Sequence, residues 1–363
     1  MKYVYRQSGI QNLNESDPRY GLLEWGVMKG EIGVYYGDDN ARGILGSAMA
    51  AAKLDLDETY GEQVFMALLA NLRTTGPDGF RLSRIDSHSL LQNGWQHYFT
   101  TSGFGGDYQP HYSAEMWAAF LWAYEMTGIR LFLDRTKLAI SKLMSMYPKW
   151  KWTEYITEEK IRVLLPIAWL NRIEKSATSQ RWLDQVLGDL SALQQDSGAV
   201  EDRLGDLSMC SSCPPESNAK YGTGEGSMIQ ENGDTITDLL YSSNFLIRNL
   251  HEAAGILPKH RQIEDKLAEF LVRSQAKGGQ VDGAWMRSFD FKDWDYYGSA
   301  TDTGWGPWSV ESGWTMTWIT TSLALRQKNT TLWEVLGTIK FRKNVVLSAC
   351  EQMIGRFYPG SCT

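Results

Sequence analysis

The sequence predicts an all-α fold, an (α/α)6-type toroid in which inner helices pack inside an outer ring, with few or no strands. Three observations carry that expectation. About eleven segments read as helices, and no run shows a convincing alternation of period two. The helices alternate in kind, one apolar on most faces and the next amphipathic, as buried and covering helices do. The connections alternate too: long ones lead into the apolar helices and short turns lead out of them, so the long loops gather at one end, a usual place for function.

The elements follow in order. Residues 39–53 form the first helix, with Asp38 as its N-cap candidate. Residues 59–73 form the second. Residues 114–127 follow Ser113 as a cap and stop at Gly128. Residues 130–146, 157–174 and 178–195 come next. Residues 235–254 run to Gly255, and 259–276 follow Pro258. Residues 309–327 start after Pro307, and 330–340 and 344–356 close the chain. The helices starting near 39, 114, 235 and 309 are rich in Ala, Gly, Ser, Trp and Met, whereas 261–277 shows Ile263, Leu267, Phe270 and Leu271 on one face and charge on the other. The inner helices start about 75, 45, 75 and 75 residues apart with no repeated motif, which argues against a solenoid of uniform repeats. The whole of 1–363 reads as one domain, with 1–34 an irregular lead-in.

Composition removes several classes. The chain has 363 residues, 43% apolar, with 36 basic and 43 acidic side chains and a net charge of −7. Such apolar content excludes disorder, and four Cys are too sparse for a disulfide-stapled miniature domain. A mildly acidic chain lacks the electrostatic footprint of a nucleic-acid binder. The longest apolar runs, such as Ile44–Ala52, are too short to span a membrane. The first twenty residues are polar and hold no signal core, which fits a cytoplasmic chain or one following an upstream leader or domain. Cys210 and Cys213 form a C-x-x-C with no second ligand pair nearby, so no metal is expected; Cys350 and Cys362 give no pattern. No cofactor is expected, and the oligomeric state is open.

Four segments leading into inner helices each carry carboxylates and aromatics. They are YYGDDNAR at 35–42, GGDYQPHY at 105–112, YGTGE at 221–225 with ENGD at 231–234, and the stretch from Asp282 to Trp314. The last holds the excess of tryptophan: six of the chain's 15 lie between Trp285 and Trp318, interleaved with Asp282, Asp290, Asp293, Asp295, Asp302 and Glu311. Indole faces stack on sugar rings, and carboxylates bind hydroxyls and move protons. Glycoside cleavage needs two carboxyls, about 5–5.5 Å apart for retention and roughly 6.5–9.5 Å for inversion. The candidate acid and base are Glu311 and Asp39, with Asp38 and Asp107 as substitutes. Tyr108, Trp294, Trp305 and Trp308 are candidate sugar platforms, and His111 a candidate binding residue. Arg42 and Arg287 suit a sugar carboxylate, or pair with a neighbouring Asp. Each acid also has a plainer role: Asp38, Asp39, Asp234 and Glu311 all stand where helix caps and first turns favour negative charge. Trp117, Trp122, Trp169, Trp182 and Trp333 sit at helical spacings and read as core, as does His251.

The motif YYGDDNARG, the stretch GDTITDLLYSSNFLIRNLHEAAG, and DGAWMRSFDF with GWGPWSVESGWTMTWI resemble the six-hairpin glycosidase superfamily, and within it a bacterial polysaccharide-utilisation group. The likeness covers most of the chain. The segment around Glu311 is similar to one in unsaturated glucuronyl hydrolases but has Val310 and Glu311 where that group has Arg-Gly. The resemblance implies an exo-acting hydrolase using Asp or Glu on an oligosaccharide or polysaccharide, with a uronic-acid end as one substrate class. The alternatives are an epimerase or isomerase on the same toroid, which needs histidine and finds only His111 well placed, a polysaccharide lyase, and a non-catalytic glycan-binding protein.

Overall fold

The computed structural model describes residues 11–25, 33–105, 108–214, 226–297 and 317–362. Among these residues there are twelve α-helices: α1 Gly37–Lys53, α2 Glu58–Arg73, α3 Ser87–Thr100, α4 Pro110–Thr127, α5 Arg130–Ser145, α6 Ile156–Ile173, α7 Ala177–Ala192, α8 Asn244–Ala254, α9 Arg261–Arg273, α10 Thr317–Gln327, α11 Leu332–Leu336 and α12 Lys343–Cys350. Seven short strands accompany them: β1 Val34–Tyr36, β2 Arg84–Asp86, β3 Trp152–Thr153, β4 Cys210–Ser212, β5 Ile236–Asp238, β6 Ser288–Asp290 and β7 Asp295–Tyr296. No described helix is long and apolar enough to cross a membrane. The chain divides into two units: Met1–Tyr108 with Tyr112–Met146 and Leu332–Thr363, and Gln109–His111 with Tyr147–Thr331.

In the first unit α1 packs on α2 and α11, and α2 on α3 and α12. The apolar helix 112–127 of α4 is buried along Trp117, Phe120 and Trp122, with Ala118, Ala119 and Ala123 between them. Small residues beside the large rings let them interdigitate at native density. Helix α2 is buried on nearly every face. The lead-in covers it, with Gln11 Nε2 donating to Gln63 O at 2.9 Å, and the carbonyl of Lys340 lies against Gly61. Antiparallel β1 and β2 join the start of α1 to that of α3. Helix α3 falls inside the long connection read as 76–112. Its sequence lacks a clean apolar stripe, and Gly94 breaks its regularity at φ +71. Asp38 does not cap α1: the helix begins at Gly37 after Tyr36, and Asp38 lies within the first turn.

Gly79 shows how closely this unit is packed. Its φ is +81, in the left-handed region that glycine tolerates, and an added Cβ would collide with the Arg135 carbonyl. Its own carbonyl accepts the Trp117 indole N–H at 2.9 Å. Gly79→Ala is expected to cost about 1–3 kcal/mol in denaturant unfolding; an unchanged midpoint would refute this account.

In the second unit α8 is central, packing on α6, α10 and α9, while α6 also packs on α7. All of Asn244–Ala254 is buried. The helix expected from 235 starts later. Ile236 and Thr237 are β-branched and pair with Phe289 and Asp290 in β6. Asp238 then accepts the N–H groups of Leu240 and Tyr241, capping the π-helical turn 239–243 that precedes α8. The expectation of a strand-poor chain thus becomes three small sheets of two, two and three strands. Both cysteine pairs are disulfides, Cys210–Cys213 beside β4 and Cys350–Cys362 at the end of the chain.

His251 ties three helices of this unit, as the core role expected of it requires. Its Nδ1 lies 2.8 Å from Glu264 Oε1 on α9, and its Nε2 lies 2.8 Å from the Thr330 carbonyl that follows α10. Both partners are acceptors, Glu264 being paired with Arg326, so the surroundings favour the charged ring. Burial opposes that charge, but the bonds to Glu264 and Thr330 outweigh it and raise the His251 pKa above its ordinary value of 6.5. The sign follows: this stabilisation is complete below about 6.5 and is lost as pH rises through the raised native value. Denaturation midpoints should fall across that range in the native chain and fall less in His251→Gln.

Candidate active site

The strongest cluster of titratable groups in the second unit stands at the first turns of α4 and α6. Glu158 and Glu159 are fully buried on the first turn of α6, where the helix N-terminus favours carboxylates. Residue 111, at the start of α4, meets both. His111 Nδ1 lies 2.8 Å from Glu158 Oε1, and the His111 backbone N–H donates to Glu159 Oε2 at 2.6 Å. Glu159 Oε1 accepts the Thr153 N–H of β3 at 3.0 Å. One turn along α6, Arg162 donates to Glu158 Oε1 from Nε at 3.2 Å and from its terminal nitrogen at 2.8 Å. Gln109 bonds Thr153 and Ser211, fastening the residues before His111 to β3 and β4.

The two glutamates are driven apart. Burial pushes Glu158 up, but His111 and Arg162 beside it outweigh burial and hold its carboxyl below the ordinary range. Burial, then the adjacent Glu158 charge, pushes Glu159 up to about 8, while the His111 ring charge and the Thr153 and His111 N–H groups pull it back. The result is a Glu158 that favours its charged form beside the imidazole and a Glu159 that braces the backbone beneath it. His111, Glu158 and Glu159 offer ligand atoms within 4.8 Å of one another, a spacing that also suits a cation. Glu158 Oε1 takes the imidazole and the Arg162 guanidinium and both Glu159 oxygens take backbone N–H groups, while Glu158 Oε2 is buried without a hydrogen-bond partner.

Beside this cluster lies a buried ion network. Arg287 has no exposed surface, and it donates to Asp238 Oδ2 at 3.0 Å, to Glu154 Oε2 at 2.8 Å and to the Gly226 carbonyl at 3.2 Å. Its guanidinium lies 4.9 Å from the ring of Tyr241, which in turn faces the His111 ring at 6.1 Å. Burial opposes the Arg287 charge, but Asp238 and Glu154 outweigh it and push its pKa well up. Burial and the nearby Asp238 charge push Asp202 well above the carboxylate range. Arg287 therefore faces protein carboxylates, which corrects its expected role on a sugar acid.

In the first unit, Arg42 is likewise enclosed by acids, with Asp38 Oδ2 at 2.8 Å, Asp39 Oδ1 at 3.2 Å and Glu115 Oε2 at 4.0 Å. The alternative open to Arg42, pairing with a neighbouring Asp, is the one observed. Asp38 is buried, while the Asp39 side chain is 28% exposed. Asn40, next along α1, bonds both backbone groups of Leu23 and fixes the turn. Tyr108 packs against Phe104 and Phe80 at 4.5 and 6.0 Å between centroids.

The described tryptophans of the fourth segment are pegs. Trp294 meets Phe270 and Phe289 edge-on, with Arg273 of α9 4.4 Å from its ring. Trp285 is buried and donates to the Leu271 carbonyl at 2.7 Å. Both fasten the β6 region to α9. Asp107, Trp305, Trp308 and Glu311 lie outside the described residues. Sequence reasoning missed Glu158, Glu159 and Arg162. Their signal was an acidic pair with Arg four residues after Glu158, opening an otherwise apolar helix.

No protein-family model matches the chain, and no curated protein matches it in sequence. Solved structures match in fold. The chain is similar to the cellobiose 2-epimerase of Bacillus thermoamylovorans, at 12% identity over 92% of this chain and 81% of that one, with a TM-score of 0.57. It is similar to a D-mannose isomerase at 14% identity over 80% and 71% of the two chains, with a TM-score of 0.50. An α-1,6-mannanase of Salegentibacter sp., solved with α-1,6-mannotriose, superposes less closely, at 11% identity over 68% and 56% and a TM-score of 0.38. The fold is the (α/α)6 toroid that the helix pattern led one to expect.

Proposed function

We propose that this chain is a sugar-active enzyme that works by proton transfer, with His111 as the acid–base group and Glu158 as its orienting partner. The observation that carries this reading is the 2.8 Å contact between His111 Nδ1 and Glu158 Oε1, with Arg162 fixing the carboxylate. When the imidazole takes up a proton from a substrate, Glu158 stabilises the imidazolium that forms. One base on one face of an open-chain sugar can take the proton from C2 and return it to C1; with the O2 hydroxyl proton passing to O1, this is aldose–ketose isomerisation. Inversion at C2 needs a second group on the other face. Two proteins of this fold are a cellobiose 2-epimerase and a D-mannose isomerase, which supports the reading.

Hydrolysis at a glycan end, with uronic-acid ends included, is the second reading. One observation favours it: Asp39 stands partly exposed at the start of α1, next to a buried Asp38 whose Oδ2 pairs with Arg42. It would use Asp39 with Glu311, or Asp38 or Asp107, and Trp305 and Trp308 as platforms. Product analysis on free sugars and oligosaccharides in deuterated water separates these readings. Isomerisation conserves mass apart from exchanged deuterium. Hydrolysis releases new reducing ends, a lyase yields an ultraviolet-absorbing product, and a binding protein gives no turnover. New reducing ends without deuterium exchange would defeat the first reading.

A further inference from the structure

The first unit contains a cleft of about 870 Å³ that shares no residue with the candidate active site. Its size falls in the usual range of small-molecule sites, roughly 300–1,000 Å³. Arg73, on the last turn of α2, lines it and is 3% exposed. One terminal nitrogen donates to the carbonyls of Pro18 and Tyr20 at 2.9 and 2.8 Å, but Nε is buried without a partner. Of the acids lining the cleft, Asp17 is paired with Arg19 at 2.7 Å and Glu62 with Arg342 at 2.8 Å, while Glu15 stands at its rim. Burial accordingly depresses the Arg73 pKa to about 10. A buried cation without an anion is costly, and the fold retains one at the wall of a cavity.

The rest of the lining supplies a different chemistry. Gln63, Asn344 and Gln352 offer amides, each both donor and acceptor. Trp95 is buried beside Arg73, 5.6 Å from the guanidinium, and meets Phe357 edge-on at 5.4 Å. Phe357 is 47% exposed and gives the cleft an open aromatic face. We propose that this cleft binds an acidic sugar, its carboxylate on Arg73, its hydroxyls on the amides and its ring face against Phe357.

Calorimetric titration of the whole chain with glucuronate, glucose and inorganic phosphate tests this. Glucuronate should bind saturably, at least about tenfold more tightly than either other probe, as a charge-assisted contact combined with hydroxyl and ring contacts requires. Arg73→Gln should weaken it about tenfold or more and Phe357→Ala about threefold, with His111→Asn leaving it unchanged. No saturation with glucuronate would overturn the proposal. Equal binding of glucose would remove the anion from it, and equal binding of phosphate would remove the sugar. Loss of binding in His111→Asn alone would place the ligand in the candidate active site instead. If Arg73→Gln fails to fold, the exposed Phe357→Ala and Asn344→Ala decide the question by the same readout.

Discussion

Replacing His111 by Asn is expected to lower turnover of the true substrate by about 10²–10⁴-fold while leaving the unfolding transition in place. The loss is large because the imidazole is the group that takes up and returns the proton. The fold survives because what braces this position is the backbone N–H of residue 111, held by Glu159 at 2.6 Å, and an amide side chain keeps a donor for Glu158. Glu158→Gln removes the charge that stabilises the imidazolium but keeps its shape, so kcat should fall while KM changes little. Steady-state rates with matched thermal melts check both variants. Full activity in His111→Asn would sink the proposed chemistry and return attention to Asp39. A collapsed melt would instead show that the ring is a structural part.

Arg287→Met is expected to destabilise the second unit by about 3–5 kcal/mol, among the largest single effects available in this chain. The cause is what remains. Glu154 and Asp238 are both at zero exposure, and both face the guanidinium within 3.0 Å. Without it, two carboxylates share a buried space and lose the cation between them. Arg287→Lys should recover only part of the loss, because an ammonium cannot reproduce the fork that reaches both acids and the Gly226 carbonyl. The deficit should shrink as pH falls, since protonation relieves the stranded carboxylates. Urea denaturation at two pH values checks the size and the sign. A loss below about 1 kcal/mol would mean the network is worth no more than an exposed pair.

The helices were legible where a local pattern determines them. The Ala- and Trp-rich run of α4, the capped start of α7 and the amphipathic stripe of α9 each carry their period within a few turns. The strand Ile236–Asp238 was not legible, because its partner Ser288–Asp290 lies about fifty residues away and the run reads as the start of a helix. The excess of tryptophan in the fourth segment invited sugar platforms, and no local pattern tells that Trp285 donates its N–H to the Leu271 carbonyl of α9 or that Trp294 meets Phe270 edge-on. His111 stood out as the one histidine in a loop leading to an inner helix. Its partners Glu158 and Glu159 did not, because two acids on the first turn of a helix are ordinary until a distant residue packs between them. Arg287 shows the same limit: its acids lie 49 and 133 residues away, where no motif spacing reaches.

The grip of Glu159 on main chain alone has an implication for design. Neither of its bonds involves the side chain of the residue it holds, at 111 or at 153. The main-chain hold at the start of α4 therefore does not depend on which side chain stands there. A small neutral replacement at position 111, such as Cys, gives up the imidazole's tie to Glu158 but keeps the backbone bond to Glu159. This chain separates the identity of the reactive group from the backbone bond that holds its position.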